Sequence, residues 1–110
     1  MSNFSLNDLE AIIASRADDA AEQSYTASLL GKGKSKCAEK FGEEAIEAVI
    51  AAVSQDKEGM VSEFADVVFH LLVLMKASGV TIAEVMEELD KRTGQSGHEE
   101  KASRGDSTDG

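Results

Sequence analysis

Apolar residues recur at helical spacing through most of this chain, and no segment alternates in the manner of a strand. Leu6, Leu9, Ile12, Ile13, Ala17 and Ala20 fall on one stripe. Ser5, followed three residues later by Asp8, supplies a helix start. The pattern predicts a first helix from Ser5 to about Ala21. The period is lost between Glu22 and Ser35, where a linker is expected. That linker holds Ser24-Tyr25-Thr26 and then Leu30-Gly31-Lys32-Gly33-Lys34-Ser35-Lys36. Its glycines disfavour helix, and its lysines suit a phosphate loop. Helical spacing resumes for a second helix over Lys36 to Val53. Ser54-Gln55-Asp56 breaks it, and Asp56 is a fitting N-cap for a third helix running to about Ala77, closed by Gly79. Thr81 and Glu84 form a capping box for a fourth helix ending near Leu89. Four helices with short connections predict an all-α fold, a four-helix-type bundle over residues 1–92. Residues 93–110 read as a polar tail.

The third helix is apolar on nearly every side from Val67 to Met75. Such a helix is buried on several sides, and a chain of 110 residues has little with which to cover it. A homodimer or higher homo-oligomer is therefore expected, with this helix near the interface.

Composition narrows the class. The chain lacks proline and carries a formal net charge of −10, which disfavours a nucleic-acid partner. The single cysteine, Cys37, excludes an internal disulfide. It reads as small core filler in a reducing compartment. No basic region followed by an apolar run stands at the N-terminus, and the apolar stretch from Val67 to Met75 is too short to span a bilayer. A cytoplasmic location without membrane contact is the expectation.

The candidate chemistry lies in two acid pairs. Glu44 and Glu47, with Glu43 beside them, sit on the second helix; Glu63 and Asp66 sit on the third. Residues three apart share a helix face. Antiparallel packing of the two helices would bring four carboxylates to one spot, a gathering that only a cation makes favourable. Hard divalent ions such as Mg²⁺, or Mn²⁺ in its place, take oxygen ligands of this kind, and Mg²⁺ sites commonly handle phosphates. Asp66 lies among Phe64, Ala65, Val67, Val68 and Phe69, so it reads as a buried acid in need of a partner. Glu44 borders a sector with Cys37, Phe41 and Ala48 and reads as half exposed. The opposing reading makes these acids an ordinary solvated helix face. His70, one turn after Asp66, reads either as a support for the carboxylates or as a satisfied core histidine. Lys32, Lys34, Lys36 and Lys40 precede the first acids and form the basic half of a bipolar site.

Glu43-Glu44-x-x-Glu47 followed by Glu63-x-x-Asp66 resembles the signature of the all-α nucleotide pyrophosphohydrolases, the MazG-like superfamily. Ser24-Tyr25-Thr26-Ala27-Ser28-Leu29-Leu30-Gly31-Lys32-Gly33 and Lys101-Ala102-Ser103-Arg104 are more specific, and are similar to segments of its phosphoribosyl-ATP pyrophosphohydrolase family. The resemblance runs over nearly the whole chain, to Arg104. It implies hydrolysis of phosphoribosyl-ATP to phosphoribosyl-AMP and pyrophosphate, the second step of histidine biosynthesis. It implies Mg²⁺ on Glu44, Glu47, Glu63 and Asp66, with Glu43 as a supporting base or an exposed acid. It implies phosphate contacts from Lys32, Lys36 and Lys40, and substrate contacts from Lys101 and Arg104 in segment 96–104. Lys34 is the less certain lysine of the loop. Two other readings stay open. One is a housekeeping nucleoside triphosphate pyrophosphohydrolase of the same superfamily. The other is a non-catalytic helical interaction module.

Overall fold

The longest helices follow from the chain's own punctuation. The computed structural model describes residues 3–54 and 56–94. Among them are five α-helices, one 3-10 turn and no strand: α1 (Leu6–Arg16), the 3-10 turn (Ala21–Gln23), α2 (Tyr25–Gly31), α3 (Lys34–Ser54), α4 (Lys57–Ser78) and α5 (Ile82–Thr93). The all-α expectation holds. The chain divides into two compact units, Met1–Val80 and Thr81–Gly110.

In the first unit, α1 begins with a complete capping box. The Ser5 hydroxyl accepts from the Asp8 N–H at 3.1 Å, and the Asp8 carboxylate accepts from the Ser5 N–H at 3.0 Å. The helix ends at Arg16, one turn short of the expected Ala21. Asp18 and Asp19 explain the early stop, because acids oppose the negative end of the helix dipole.

The expected linker is largely helical, which gives a fifth helix where four were expected. Ser24 caps α2, its hydroxyl accepting from the Ala27 N–H at 3.1 Å. Thr26, Ala27 and Leu29 of α2 are buried. Seven residues are too few for α2 to stand alone, so its packing against α1, α3 and α4 sustains it. No open lysine loop follows. The Lys32 N–H closes α2 on the Leu29 carbonyl at 3.1 Å. Gly33 then turns the chain at φ +98°, and its carbonyl accepts from the Cys37 N–H at 3.1 Å. Lys34 and Lys36 lie in the first turn of α3 and Lys40 in the next.

Only Gln55 and Asp56 separate α3 from α4, and the two helices share the broadest packing in the unit. So short a connection between long, mutually packed helices makes them antiparallel. Asp56 caps α4, its carboxylate accepting from the Gly59 N–H at 2.9 Å. Gly79, at φ +75°, ends α4 in the left-handed region, with the Val80 N–H donating to the Met75 carbonyl at 3.0 Å. Ile13 of α1, Cys37 of α3 and Val73 of α4 are the largest fully buried side chains. The Cys37 thiol donates to the Leu29 carbonyl at 3.3 Å, and burial pushes its pKa up. It is the core filler expected.

In the second unit, Thr81 caps α5 and pairs with Glu84 in the capping box read from sequence. The helix runs past Leu89 to Thr93. Arg92 bonded to Glu88 at 3.0 Å supports the extra turn.

Two glycines give opposite expectations. At Gly33 nothing crowds an added methyl, but its positive φ strains any L side chain. Gly33→Ala should lower stability by about 1–2 kcal/mol. Gly42 lies inside α3 with open space at the Cβ position. Gly42→Ala should raise stability by about 0.5–1 kcal/mol. Urea melts of the two variants check both signs.

Candidate metal centre

The register of the α3–α4 hairpin determines which acids meet. Counted from the facing helix ends, Ser54 and Lys57, Glu44 and Asp66 lie ten and nine residues in, and Glu47 and Glu63 seven and six. At about 1.5 Å per residue, the members of each pair stand at nearly the same height on their helices. The three-residue step within each helix turns both acids to one face.

Carboxylate oxygens of Glu44, Glu63 and Asp66 lie within 4.8 Å of one another. Glu47 stands outside this trio, yet its charge acts on Glu63. Glu44 and Glu63 are half-buried; Glu47 and Asp66 are exposed. The exposure of Asp66 corrects the expectation of a buried acid. Its apolar neighbours in sequence point to other sides of the helix, Phe64 and Val68 being exposed themselves. Glu43 is not one of the trio and pairs with Lys40 at 3.5 Å.

The cluster is electrostatically loaded. The Glu63 carboxyl is pushed above its ordinary value, first by desolvation and then by the charges of Asp66, Glu47 and Glu44. Among the described residues, Lys40 is the cation that reaches the trio, standing 3.8 Å from Glu44. Lys40 is itself raised, first by Tyr25, then by its hydrogen bond to Glu43. Lys36 pairs with Glu39 at 3.2 Å, whereas Lys32 and Lys34 are exposed. The structure thus brings together Lys40, Glu43, Glu44, Glu63 and Asp66. Lys101 and Arg104, with segment 96–104, lie outside the described residues.

One pair of residues in this neighbourhood was not singled out together from sequence. The Tyr25 hydroxyl and His70 Nε2 are 3.1 Å apart, and His70 Nδ1 is 2.9 Å from the Asp66 carbonyl. A carbonyl only accepts, so Nδ1 carries the proton. In the neutral ring, Nε2 then accepts from the tyrosine hydroxyl. Both nitrogens of this buried histidine are satisfied. The wheel position of His70 beside Asp66 was legible, but its partner on α2 was hidden by the linker reading.

Fold and site define a small all-α protein with a carboxylate cluster on a helical hairpin. Its sequence matches the family model "Phosphoribosyl-ATP pyrophosphohydrolase" over residues 6–93. It is 60% identical over 99 residues to a phosphoribosyl-ATP pyrophosphatase of Azorhizobium caulinodans, covering 90% of this chain and 91% of that protein. It is 50% identical over 104 residues to the phosphoribosyl-ATP pyrophosphatase of Agrobacterium fabrum, covering 94% and 97%. The namesake from Allorhizobium ampelinum is 54% identical over 104 residues, covering 94% and 100%. The chain belongs to the phosphoribosyl-ATP pyrophosphohydrolase family.

The raised Glu63 pKa has a definite sign in stability. A carboxyl with a raised folded-state pKa favours the folded state fully below its unfolded value. That contribution is lost as pH rises through the higher folded value. In metal-free buffer, Glu63→Gln should therefore raise Tm at pH 7, and the gain should vanish below the ordinary carboxyl value of 4.5. Thermal melts in chelator across pH check this.

Proposed function

We propose that this chain hydrolyses phosphoribosyl-ATP to phosphoribosyl-AMP and pyrophosphate, as an enzyme of histidine biosynthesis in the cytoplasm. Membership of the family supports the substrate. One structural observation carries the chemistry: three carboxylates from two helices share one 4.8 Å neighbourhood. Such a donor set fits a hard divalent cation. Glu44, Glu63 and Asp66 would hold Mg²⁺, or Mn²⁺ in its place, with Glu47 completing the set. Bound there, the ion neutralises triphosphate oxygens and makes a water more nucleophilic.

The protein's own part is positioning and charge. The hairpin fixes the acids at nearly the same height, so no loop need close to assemble them. Lys40 stands beside the cluster and can meet the departing pyrophosphate. Lys32, at the end of α2, and Lys36, in the first turn of α3, extend that cationic side. Glu43, paired with Lys40, orients the lysine and is the acid least suited to ligation. Lys101 and Arg104 are assigned as substrate contacts through the family resemblance alone.

The working form is proposed to be a homodimer or higher homo-oligomer. α3 exposes Ile46, Val49, Ile50 and Val53, a stripe at helical spacing, and Val53 is 82% exposed. α4 exposes Phe64, Val68 and Leu71. Apolar stripes of this kind mark association surfaces. The partner proposed for these stripes is a second copy of the chain. Val53→Glu should shift the chain toward monomer in light scattering, with helicity retained by circular dichroism.

The deciding assay is pyrophosphate release from phosphoribosyl-ATP, with and without Mg²⁺, beside a panel of ordinary and damaged nucleoside triphosphates. Metal-dependent turnover well above the panel is expected. Preference for a panel member would assign the chain to housekeeping hydrolysis. Silence on all substrates from folded protein would favour the interaction module. Glu47→Ala and Asp66→Ala should each lower kcat by about a hundredfold or more, the scale set by losing preorganised charge at a reacting group. Wild-type turnover in either variant would refute the ligand assignment.

A further inference from the structure

The hydrogen-bonded pair between α2 and α4 is chemically more demanding than a packing contact. His70 is 5% exposed, whereas Tyr25 is 55% exposed. Burying an imidazole costs free energy unless both nitrogens are satisfied, and an apolar pair could join the helices without that cost. The polar pair adds direction. Tyr25 donates its hydroxyl proton in the hydrogen bond to His70 Nε2, which fixes the orientation of the phenol.

Three rings hold this direction. Phe69 lies nearly parallel to Tyr25, at 6.2 Å and 20°. It meets His70 edge-on, at 5.1 Å and 89°. His70 meets Tyr25 edge-on at 5.9 Å. On its other side the imidazole grips the carbonyl of Asp66, the residue whose carboxylate joins the cluster. Lys40 of α3 stands 3.8 Å from Glu44 of that same cluster. A hydrogen-bonded path therefore runs from the start of α2 through Tyr25 and His70 to the Asp66 turn of the cluster.

We infer that His70 and Tyr25 are positioning residues for the hydrolysis: through hydrogen bonds to the Asp66 carbonyl and to each other, they tie the start of α2 to the turn of α4 that carries Asp66 into the carboxylate cluster. This rests on the proposed hydrolase reading. Neither residue is assigned a contact with the reacting atoms. The pair acts through the Asp66 turn, so its loss should appear in turnover more than in substrate affinity.

The test uses the full chain with His70→Phe, Tyr25→Phe, the double variant and His70→Gln. The phenylalanines keep rings and lose the polar link. The glutamine amide keeps an oxygen acceptor within reach of the Tyr25 hydroxyl. Misplacing a catalytic group by an ångström can cost about a hundredfold. Each single phenylalanine variant is expected to lower kcat for phosphoribosyl-ATP by about tenfold or more, with KM within about threefold of wild type. The double variant should be no slower than the slower single, because one link cannot be broken twice. His70→Gln should recover most of the turnover. Losses that multiply in the double variant would overturn the proposal. So would kcat within about twofold of wild type in both singles while Tm falls, the mark of a purely structural pair. Where His70→Phe fails to fold, Tyr25→Phe, a one-atom change at a half-exposed ring, carries the same test.

Mn²⁺ affinity, read by electron paramagnetic resonance, separates this inference from the substrate assignment. Both singles should bind Mn²⁺ more weakly than wild type. A wild-type chain inert toward phosphoribosyl-ATP would refute the substrate reading. Unchanged Mn²⁺ affinity in the singles of such a chain would refute this one.

Discussion

Like charges held together by a rigid hairpin are the constraint from which the rest of this structure follows. Glu44 and Asp66, and Glu47 and Glu63, lie at nearly matching distances from the facing helix ends, so an antiparallel hairpin brings each pair nearly level. A one-residue change in the connection would rotate one helix by about 100° relative to its partner and scatter the acids. Asp56 caps α4 at once, and only one residue stands between it and the end of α3. The acids were therefore placed by the same local chemistry that starts the helix.

Such placement opposes stability. Glu63 bears the combined repulsion of Asp66, Glu47 and Glu44 in addition to desolvation. The described residues offer one partial remedy, Lys40, which divides itself between Glu43 and Glu44 at 3.5 and 3.8 Å. Both contacts are long and are shared by one lysine, so a single positive charge does not neutralise the cluster. The core bears the remaining cost. Ile13, Cys37 and Val73 are fully buried, and the helix ends are tightly capped at Ser5, Ser24, Asp56 and Gly79. A site that repels itself when empty is also one that gains most from a divalent cation.

Legibility from sequence followed the range of the interactions. Short-range signals gave true elements: the Ser5–Asp8 and Thr81–Glu84 boxes, the Asp56 cap and the Gly79 stop are all present. The all-α class followed from them. Helix α2 has no clear sequence signal because its seven residues are sustained by burial of Thr26, Ala27 and Leu29 rather than by local propensity. That gap turned the lysines into a loop, when three of them stand on α3. The length of α1 was overread because the apolar stripe continued through Ala17 and Ala20 while the acids at Asp18 and Asp19 ended the helix. The spacing of the acids was visible, but their solvent exposure was not. Asp66 was argued from its sequence neighbours, whereas burial depends on the face, and both Asp66 and its neighbour Phe64 face solvent.

The same distinction explains why the histidine read ambiguously. On a helical wheel, His70 shares an arc with Glu63 and Asp66, which suggests a role at the carboxylates. In the folded chain it is a buried group with both nitrogens bonded, which suggests an inert core residue. The two descriptions are compatible because the bonds lead somewhere. One ends on the backbone of a cluster residue. The other ends on a tyrosine of the short helix that sequence alone did not reveal. α2 cannot persist by its own propensity, and the bond from Tyr25 to His70 ties its first turn to the turn of α4 that bears Asp66. In that geometry a satisfied core histidine and a functional one are the same residue.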